Sequence, residues 1–208
     1  MPNLVRAGDQ YSAQVFSNLE MGSGKRVIVT KDNTNISEDR YNTRFIDTRI
    51  DFGGKTWYTM FRIQAVGGHI HHCYVRARDT AERAPSVHSK DTPANAGLIE
   101  HLYDKLIAPR RSEIFHHTRK MGEILGPGFY AHDMVVCQET GTLYMVESGF
   151  KFNDSPYANY LKSVQDDTPS NRIFYDGSYP IVGAHLFLKV WDDTIKNPQQ
   201  APWKMLVE

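Results

Sequence analysis

The chain has 208 residues and a mass of 23.8 kDa, which is enough to bury a sizeable core as one large domain or two small lobes. Lysine plus arginine and aspartate plus glutamate each number 24, so no global basic field attracts nucleic acid or an anionic membrane, and we expect neither as a partner. The two cysteines form no Cys-x-x-Cys pair, no run approaches a membrane span, and the first residues lack the apolar centre of a signal peptide. We therefore expect a cytoplasmic protein.

The N-terminal part predicts two strands joined by a glycine-rich turn. Apolar runs at 13–16 and 26–30 flank the loop 22–25, Gly-Ser-Gly-Lys. Such glycines let backbone amides approach phosphate oxygens, and the lysine supplies positive charge. The loop is not a Walker A motif, because Leu19 and Arg26 stand where that motif needs glycine and Ser or Thr. It is either a phosphate-binding loop or a simple hairpin turn.

The middle of the chain predicts a long antiparallel hairpin. After a short apolar segment at 44–47, strand-like runs at 56–66 and 69–76 are joined by Gly67-Gly68, a strong hairpin signal. Residues 79–96 are rich in Asp, Ala, Pro, Ser and Lys, which predicts a mobile loop. The histidines at 69, 71 and 72 point to both strand faces by alternation, which disfavours a zinc site there.

Helices are predicted after this loop. A helical stretch begins near Ala94, and a second helix has Ser112 as N-cap and Gly126-Pro127 at its end, with apolar or small residues at helical spacing: Ile114, Thr118, Met121 and Leu125. An apolar stripe predicts a last helix over 180–195.

A pair of acids, Asp133 and Glu147, is the most informative feature of the chain. Each lies in an apolar, strand-like run, and 139–141 (Glu-Thr-Gly) reads as a hairpin turn, so the two carboxylates are expected to meet across neighbouring strands. Magnesium is commonly held by one or two carboxylates while phosphates and waters complete its coordination. The alternative is a solvated hairpin with ordinary surface acids.

The order of these elements resembles that of the ATP-grasp enzymes, especially the amino-acid-adding ligases such as the ribosomal-protein glutamate ligases. The resemblance covers roughly 13–196 by motif order. Four segments resemble the phosphate-covering loop and its strands, the interlobe hinge, the hairpin with arginines and the magnesium hairpin, namely 15–29, 44–47, 62–76 and 129–147. The resemblance implies an α+β, ATP-grasp fold with two lobes of antiparallel sheets and packed helices around a nucleotide cleft. It divides the chain into a glycine-loop lobe, a C-terminal lobe with the magnesium hairpin and a tail, at 1–46, 47–197 and 198–208.

The same resemblance implies an activity and a set of site residues. The activity is ATP-dependent joining of a small-molecule or peptide carboxylate to an amine acceptor through an acyl phosphate, with ATP and Mg²⁺ as cofactors. The resemblance also implies an N-terminal domain ahead of the two lobes, most of which has no counterpart in this sequence, and we expect that domain to be lost, supplied by a partner chain, or part of a longer enzyme of which this chain is a fragment. The implied residues are Arg62 and Arg76 for catalysis, Gly22, Ser23, Gly24, Lys25, Arg44, Phe45, Ile46 and Asp47 for nucleotide, and Asp133, Glu147 and Asn153 for metal.

Three departures from the family pattern favour a second hypothesis. Ser17 stands where a phosphate-contacting lysine is usual, Met60 where an acid binds ribose, and Gly149 where asparagine binds metal. The alternative function is therefore a catalytically impaired ATP-grasp-like nucleotide-binding module or partner subunit. Nearby residues of suitable chemistry that can take these places are Lys25, Asp47, Asp51 and Asn153.

Overall fold

The computed structural model describes residues 15–18, 27–29, 41–82, 87, 91 and 93–150, with single helical positions at 188, 189, 192 and 196. These residues form two antiparallel sheets and one long helical segment. This arrangement confirms the predicted α+β class. No helix in the described part of the chain is long and apolar enough to cross a membrane.

The first sheet has three short strands in the order β2-β1-β3. They are β1 (Val15–Asn18), β2 (Val27–Val29) and β3 (Tyr41–Arg44). The antiparallel pairing of β1 with β2 confirms the two strands predicted around the glycine loop. The loop itself, Gly22–Lys25, lies outside the described residues.

The second sheet has five strands, centred on a long one. They are β4 (Arg49–Phe52), β5 (Lys55–Val66), β6 (His69–Asp79), β7 (Phe129–Val136) and β8 (Leu143–Gly149). β6 pairs along one edge of β5, while β4 and β7 share the other edge in succession and β8 follows β7. β5, which carries Arg62, therefore pairs directly with the strands of Arg76 and Asp133, and β8, which carries Glu147, joins the sheet through β7.

Glycine pairs build two of the hairpins. Gly67, with φ of 54°, turns β5 into β6, which confirms the predicted long hairpin. Gly53 and Gly54, with φ of 61° and 74°, turn β4 into β5. The sequence prediction omitted β4, although the same Gly-Gly signal follows it.

One helical segment crosses from β6 to β7. It comprises α1 (Ala96–Leu102), a π-helical turn (Tyr103–Ile107), a 3₁₀ turn (Ala108–Arg110) and α2 (Arg111–Leu125). Asn95 caps α1, since its Oδ1 accepts from the Leu98 N–H at 2.9 Å. The first helix thus begins two residues after the predicted Ala94.

Pro109 explains the change of helical form in the middle of this segment. Proline cannot donate to the carbonyl four residues earlier and its ring crowds that carbonyl. Arg110 takes over the donation: its Nη1 lies 3.0 Å from Lys105 O and 3.5 Å from Leu106 O. Its Nε also donates to Gly141 O at 3.1 Å. Arg110 therefore joins the helical break to the β7–β8 turn.

The prediction that Ser112 caps the second helix is wrong. α2 starts at Arg111 directly from the 3₁₀ turn, and its N-cap position, Arg110, makes no side-chain capping bond. No separate cap is needed because the preceding turns continue the helical path. The predicted end is confirmed: Gly126, with φ of 83°, donates its N–H to Gly122 O at 2.9 Å.

The core lies between one face of the large sheet and the helical segment. Alternate strand positions supply it, in accordance with the two-residue period of a strand. Its members include Phe61, Ile63 and Ala65 of β5, Cys73, Val75 and Ala77 of β6, Met134 and Val136 of β7, and Leu98, Ile99, Leu102, Leu106, Ile107 and Ile114 of the helices. The intervening residues point to the opposite face, where the candidate site lies.

Candidate functional site

Four side chains form a row across the large sheet. Tyr74 of β6 pairs with Arg62 of β5, Arg62 with Asp133 of β7, and Asp133 with Glu147 of β8. Directly paired residues point to the same face, with Cβ atoms about 4.5–5.5 Å apart. The sheet therefore brings the predicted arginine and both predicted acids together on the face opposite the core.

Arg62 and Asp133 form a two-pronged ion pair. Arg62 Nε lies 2.5 Å from Asp133 Oδ1, and Arg62 Nη2 lies 2.7 Å from Oδ2. The two side chains are 19% and 10% exposed, so water screens the pair weakly. Burial acts to lower the pKa of Arg62, but its hydrogen bonds and charge interaction with Asp133 outweigh burial and raise that pKa. Asp133 is therefore not an ordinary surface acid.

Arg76 lies beside this pair and is only partly neutralised by it. It is two residues beyond Tyr74 on β6, so it shares the same face. Its Nη1 is 4.0 Å from Asp133 Oδ2, and its Nη2 donates to the Tyr74 hydroxyl at 3.0 Å. The guanidinium also lies over the Tyr74 ring, 5.1 Å from the centroid. Arg76 is 3% exposed, and its buried Nε has no hydrogen-bond partner among the described residues.

Glu147 completes the row at the exposed end. It is exposed, in contrast to the buried Asp133. Two carboxylates on paired positions match the donor chemistry of a magnesium site, and each Asp133 oxygen keeps a second lone pair beside its bond to Arg62. No group of three His, Cys, Asp or Glu side chains suited to a metal ion occurs within the described ranges. Asn153, the third predicted ligand, lies outside them.

The predicted adenine segment leads from β3 towards β4. Phe45, Ile46 and Asp47 are half-buried and follow the end of β3 at Arg44 without regular structure. The Asp47 carbonyl accepts from the Gln138 N–H at 2.8 Å, which ties the segment to the β7–β8 turn. Arg49 binds the Asp47 carboxylate at 2.8 and 2.7 Å and thereby lowers its pKa. The Asp47 side chain is thus committed within the protein.

Directly behind the acids, on the core face, lies a second cross-strand pair that the sequence reasoning did not single out. His132 pairs with Ser148, and its Nδ1 lies 2.9 Å from Ser148 Oγ. The Ser148 hydroxyl lies 3.4 Å from Met145 Sδ, and the imidazole stacks on Tyr130 with ring centroids 5.9 Å apart. Burial lowers the pKa of His132 to about 4, against the opposing effect of the Asp133 charge, so the ring is neutral at pH 7. No sequence motif marks His132 and Ser148 as a contacting pair, and only the pairing of β7 with β8 reveals it.

No protein-family model matches this sequence, and a search of curated proteins finds no match. Among solved structures, the chain is similar to the D-alanine–D-alanine ligase from Bacillus anthracis complexed with ATP, with 10% identity and a TM-score of 0.39 over 88% of this chain and 53% of that one. It is also similar to the L-amino acid ligase from Bacillus licheniformis, with 16% identity and a TM-score of 0.39 over 74% of this chain and 35% of that one. The chain therefore spans about half or less of the length of these two proteins.

Proposed function

We propose that this chain forms the ATP-binding part of a carboxylate–amine ligase of ATP-grasp type, working through an acyl phosphate. The observation that carries the proposal is the row of Arg62, Asp133 and Glu147 with Arg76 beside it. It places two carboxylates and two guanidinium groups on one sheet face. Cations that neutralise phosphate charge and acids that hold a divalent ion are the two groups that phosphoryl transfer requires.

Asp133 and Glu147, with Asn153, are the proposed magnesium ligands. These residues would hold the ion, which would supply positive charge to offset the negative charge that develops on the phosphate oxygens. Arg62 keeps the Asp133 carboxylate in one orientation through its two hydrogen bonds. Because Arg62 is itself a cation, it also opposes a second positive charge at this carboxylate. We therefore expect magnesium to bind together with nucleotide phosphates rather than alone.

Arg76 is the proposed contact for the transferring phosphoryl group or the acyl phosphate. Arg62 already uses its Nε and Nη2 on Asp133, whereas Arg76 is 4.0 Å from that acid. A planar guanidinium pairs well with phosphate oxygens. Arg62 in this assignment positions Asp133, and Arg76 contacts the substrate.

The nucleotide is proposed to lie between the glycine loop and this row. Gly22, Ser23, Gly24 and Lys25 would cover the phosphates and exclude water from the reactive intermediate. Backbone groups of 44–47 would contact adenine. The Asp47 carbonyl and carboxylate are already engaged, so the base contact is assigned to the neighbouring Phe45 and Ile46.

The alternative is an impaired nucleotide-binding module or partner subunit, and one position favours it. Met60 of β5, near which the family has a ribose-binding acid, is buried and pairs with Arg76 of β6. A thioether cannot accept a ribose hydroxyl bond as a carboxylate does. With methionine at this position, the chain would keep its phosphate-binding groups but lack a carboxylate that binds the ribose.

Calorimetry with ATP, in magnesium and in EDTA, tests the proposal on the wild type, Glu147→Gln and Glu139→Gln. Glu139 lies in the turn of the same hairpin and is also exposed, so its change removes the same charge away from the site. We expect magnesium to strengthen ATP binding in the wild type and Glu139→Gln but not in Glu147→Gln. Magnesium-independent ATP binding in the wild type would contradict the metal assignment. Phosphate release on adding carboxylate and amine substrates separates the ligase from the impaired module.

A further inference from the structure

The hairpin of β7 and β8 contains a bulge at the point where the two acids meet. On the turn side the pairs are Val136 with Leu143, Val135 with Tyr144, and Met134 with Met145. The next pair is Asp133 with Glu147, so Val146 is an extra residue on β8. A bulge of this kind inserts one residue in one strand and redirects the side chains beyond it.

Without the bulge, Glu147 would not face Asp133. Continuing the regular pairing from Met134 with Met145 would set Val146 opposite Asp133 and Glu147 opposite His132. A slip of one residue sends every side chain to the other face of a strand. Glu147 would then leave the row and occupy the place of Ser148 on the core face. The position of the second carboxylate therefore depends on which of two registers the strand adopts.

One side-chain hydrogen bond exists only in the bulged register. His132 Nδ1 and Ser148 Oγ are 2.9 Å apart because the bulge sets these residues opposite each other. A neutral imidazole either donates its Nδ1 proton to Ser148 Oγ or accepts the hydroxyl proton at Nδ1, and in both tautomers one hydrogen bond joins the two side chains. The imidazole is fully buried. If this bond is lost, water cannot readily replace it, and the polar atoms are left buried without a partner at a cost in free energy.

We propose that His132 and Ser148 are positioning residues, which hold β8 in the bulged register and so keep Glu147 opposite Asp133. This inference rests on the proposed function for its effect on magnesium, but not for its effect on strand register. Between β7 and β8, three residue pairs lie beyond the bulge, and the imidazole–hydroxyl bond belongs to the middle one. It is placed where it can select one register over the other.

Register is measured by a cross-link that leaves both acids in place. Ala131 pairs with Gly149 in the bulged register and would face Ser148 in the regular one. A variant carrying Ala131→Cys and Gly149→Cys is oxidised, and disulfide formation is followed with Ser148 retained, with Ser148→Ala and with Ser148→Thr. The matched control is Thr142→Val, which removes a hydroxyl–hydroxyl bond of 2.9 Å to Thr140 on the turn side of the same hairpin.

We expect Ser148→Ala to slow disulfide formation several-fold, Ser148→Thr to restore it and Thr142→Val to leave it unchanged. In the chain without added cysteines, Ser148→Ala should weaken ATP binding in magnesium about tenfold and leave binding in EDTA unchanged. Equal cross-linking with serine and alanine at 148 would overturn the inference. If the cysteine-bearing variants show the expected cross-linking but the wild type shows no magnesium-dependent ATP binding, the proposed function fails and the register inference stands. Melting temperatures of all variants confirm that each is folded.

Discussion

Arg62 and Asp133 are 71 residues apart in the sequence and directly opposite each other on adjacent strands. Their bidentate ion pair lies at the centre of the row of polar side chains on the sheet face opposite the core. It links β5 to β7, and Arg76 approaches it from β6. The pair accordingly has a structural role that holds independently of any ligand.

Removing one partner of this pair should be costly. We expect Arg62→Met to lower the free energy of unfolding by about 3 kcal/mol, since it removes two hydrogen bonds to a mostly buried carboxylate and leaves Arg76, 4.0 Å away, as the nearby cation. Asp133→Asn should have a similar effect, and the double variant should lose much less than the sum of the two. Urea denaturation of the four proteins gives the coupling energy. Additive losses would mean that the two side chains do not interact.

Arg110 should stabilise the fold more than its neighbour Arg111. Arg110 donates to two carbonyls that precede the helical break, Lys105 O and Leu106 O, and to Gly141 O in the β7–β8 turn. Arg111 is exposed, and its guanidinium lies over Phe115. We expect Arg110→Ala to cost about 1–2 kcal/mol and Arg111→Ala about 0.5 kcal/mol or less. Thermal melts measure both, and equal losses would refute the assigned role of Arg110.

Gly122 permits a close approach between α2 and the β5–β6 turn. A Cβ added there would lie 2.1 Å from Gly68 N and 2.3 Å from Gly68 Cα. In an open helix, glycine to alanine stabilises by about 1 kcal/mol. Here we expect Gly122→Ala to destabilise by about 2 kcal/mol or more through overpacking. Gly97→Ala in α1 is the control, because its Cβ would meet only ordinary contacts at 3.4 Å, and it should be neutral or stabilising.

Stability should fall in mildly acidic solution because of His132. Burial lowers its pKa from 6.5 to about 4, so between these values the unfolded chain binds more protons than the folded one. The stabilising effect of a neutral His132 is therefore complete above pH 6.5 and is lost as the pH falls towards 4. The expected loss is roughly 3 kcal/mol.

Urea denaturation across this pH range, in magnesium-free buffer, measures the effect. His132→Gln should flatten the dependence because it removes the titrating group. His116→Gln, on the exposed face of α2, should leave the dependence as it is. A wild-type profile with no slope between pH 4 and 6.5 would show that His132 does not control it.

The sequence by itself determined the elements whose signals are local. Apolar alternation and glycine pairs predicted the β5–β6 and β7–β8 hairpins, and a helix-ending glycine predicted the end of α2 at Leu125. The β7–β8 prediction also brought Asp133 and Glu147 together, since a hairpin pairs residues close in sequence. The prediction failed at Ser112, where the chain was already helical and needed no cap.

Only the tertiary structure decided what surrounds those acids. Arg62 faces Asp133 because packing of the core face sets β5 against β7, a pairing between distant segments that no local pattern encodes. The bulge at Val146, and with it the contact of His132 with Ser148, depends on how two strands align rather than on either strand alone. The alternation of side chains along a strand predicts which residues share a face. Which residue of a neighbouring strand lies opposite each of them depends on the free energy of packing the whole core.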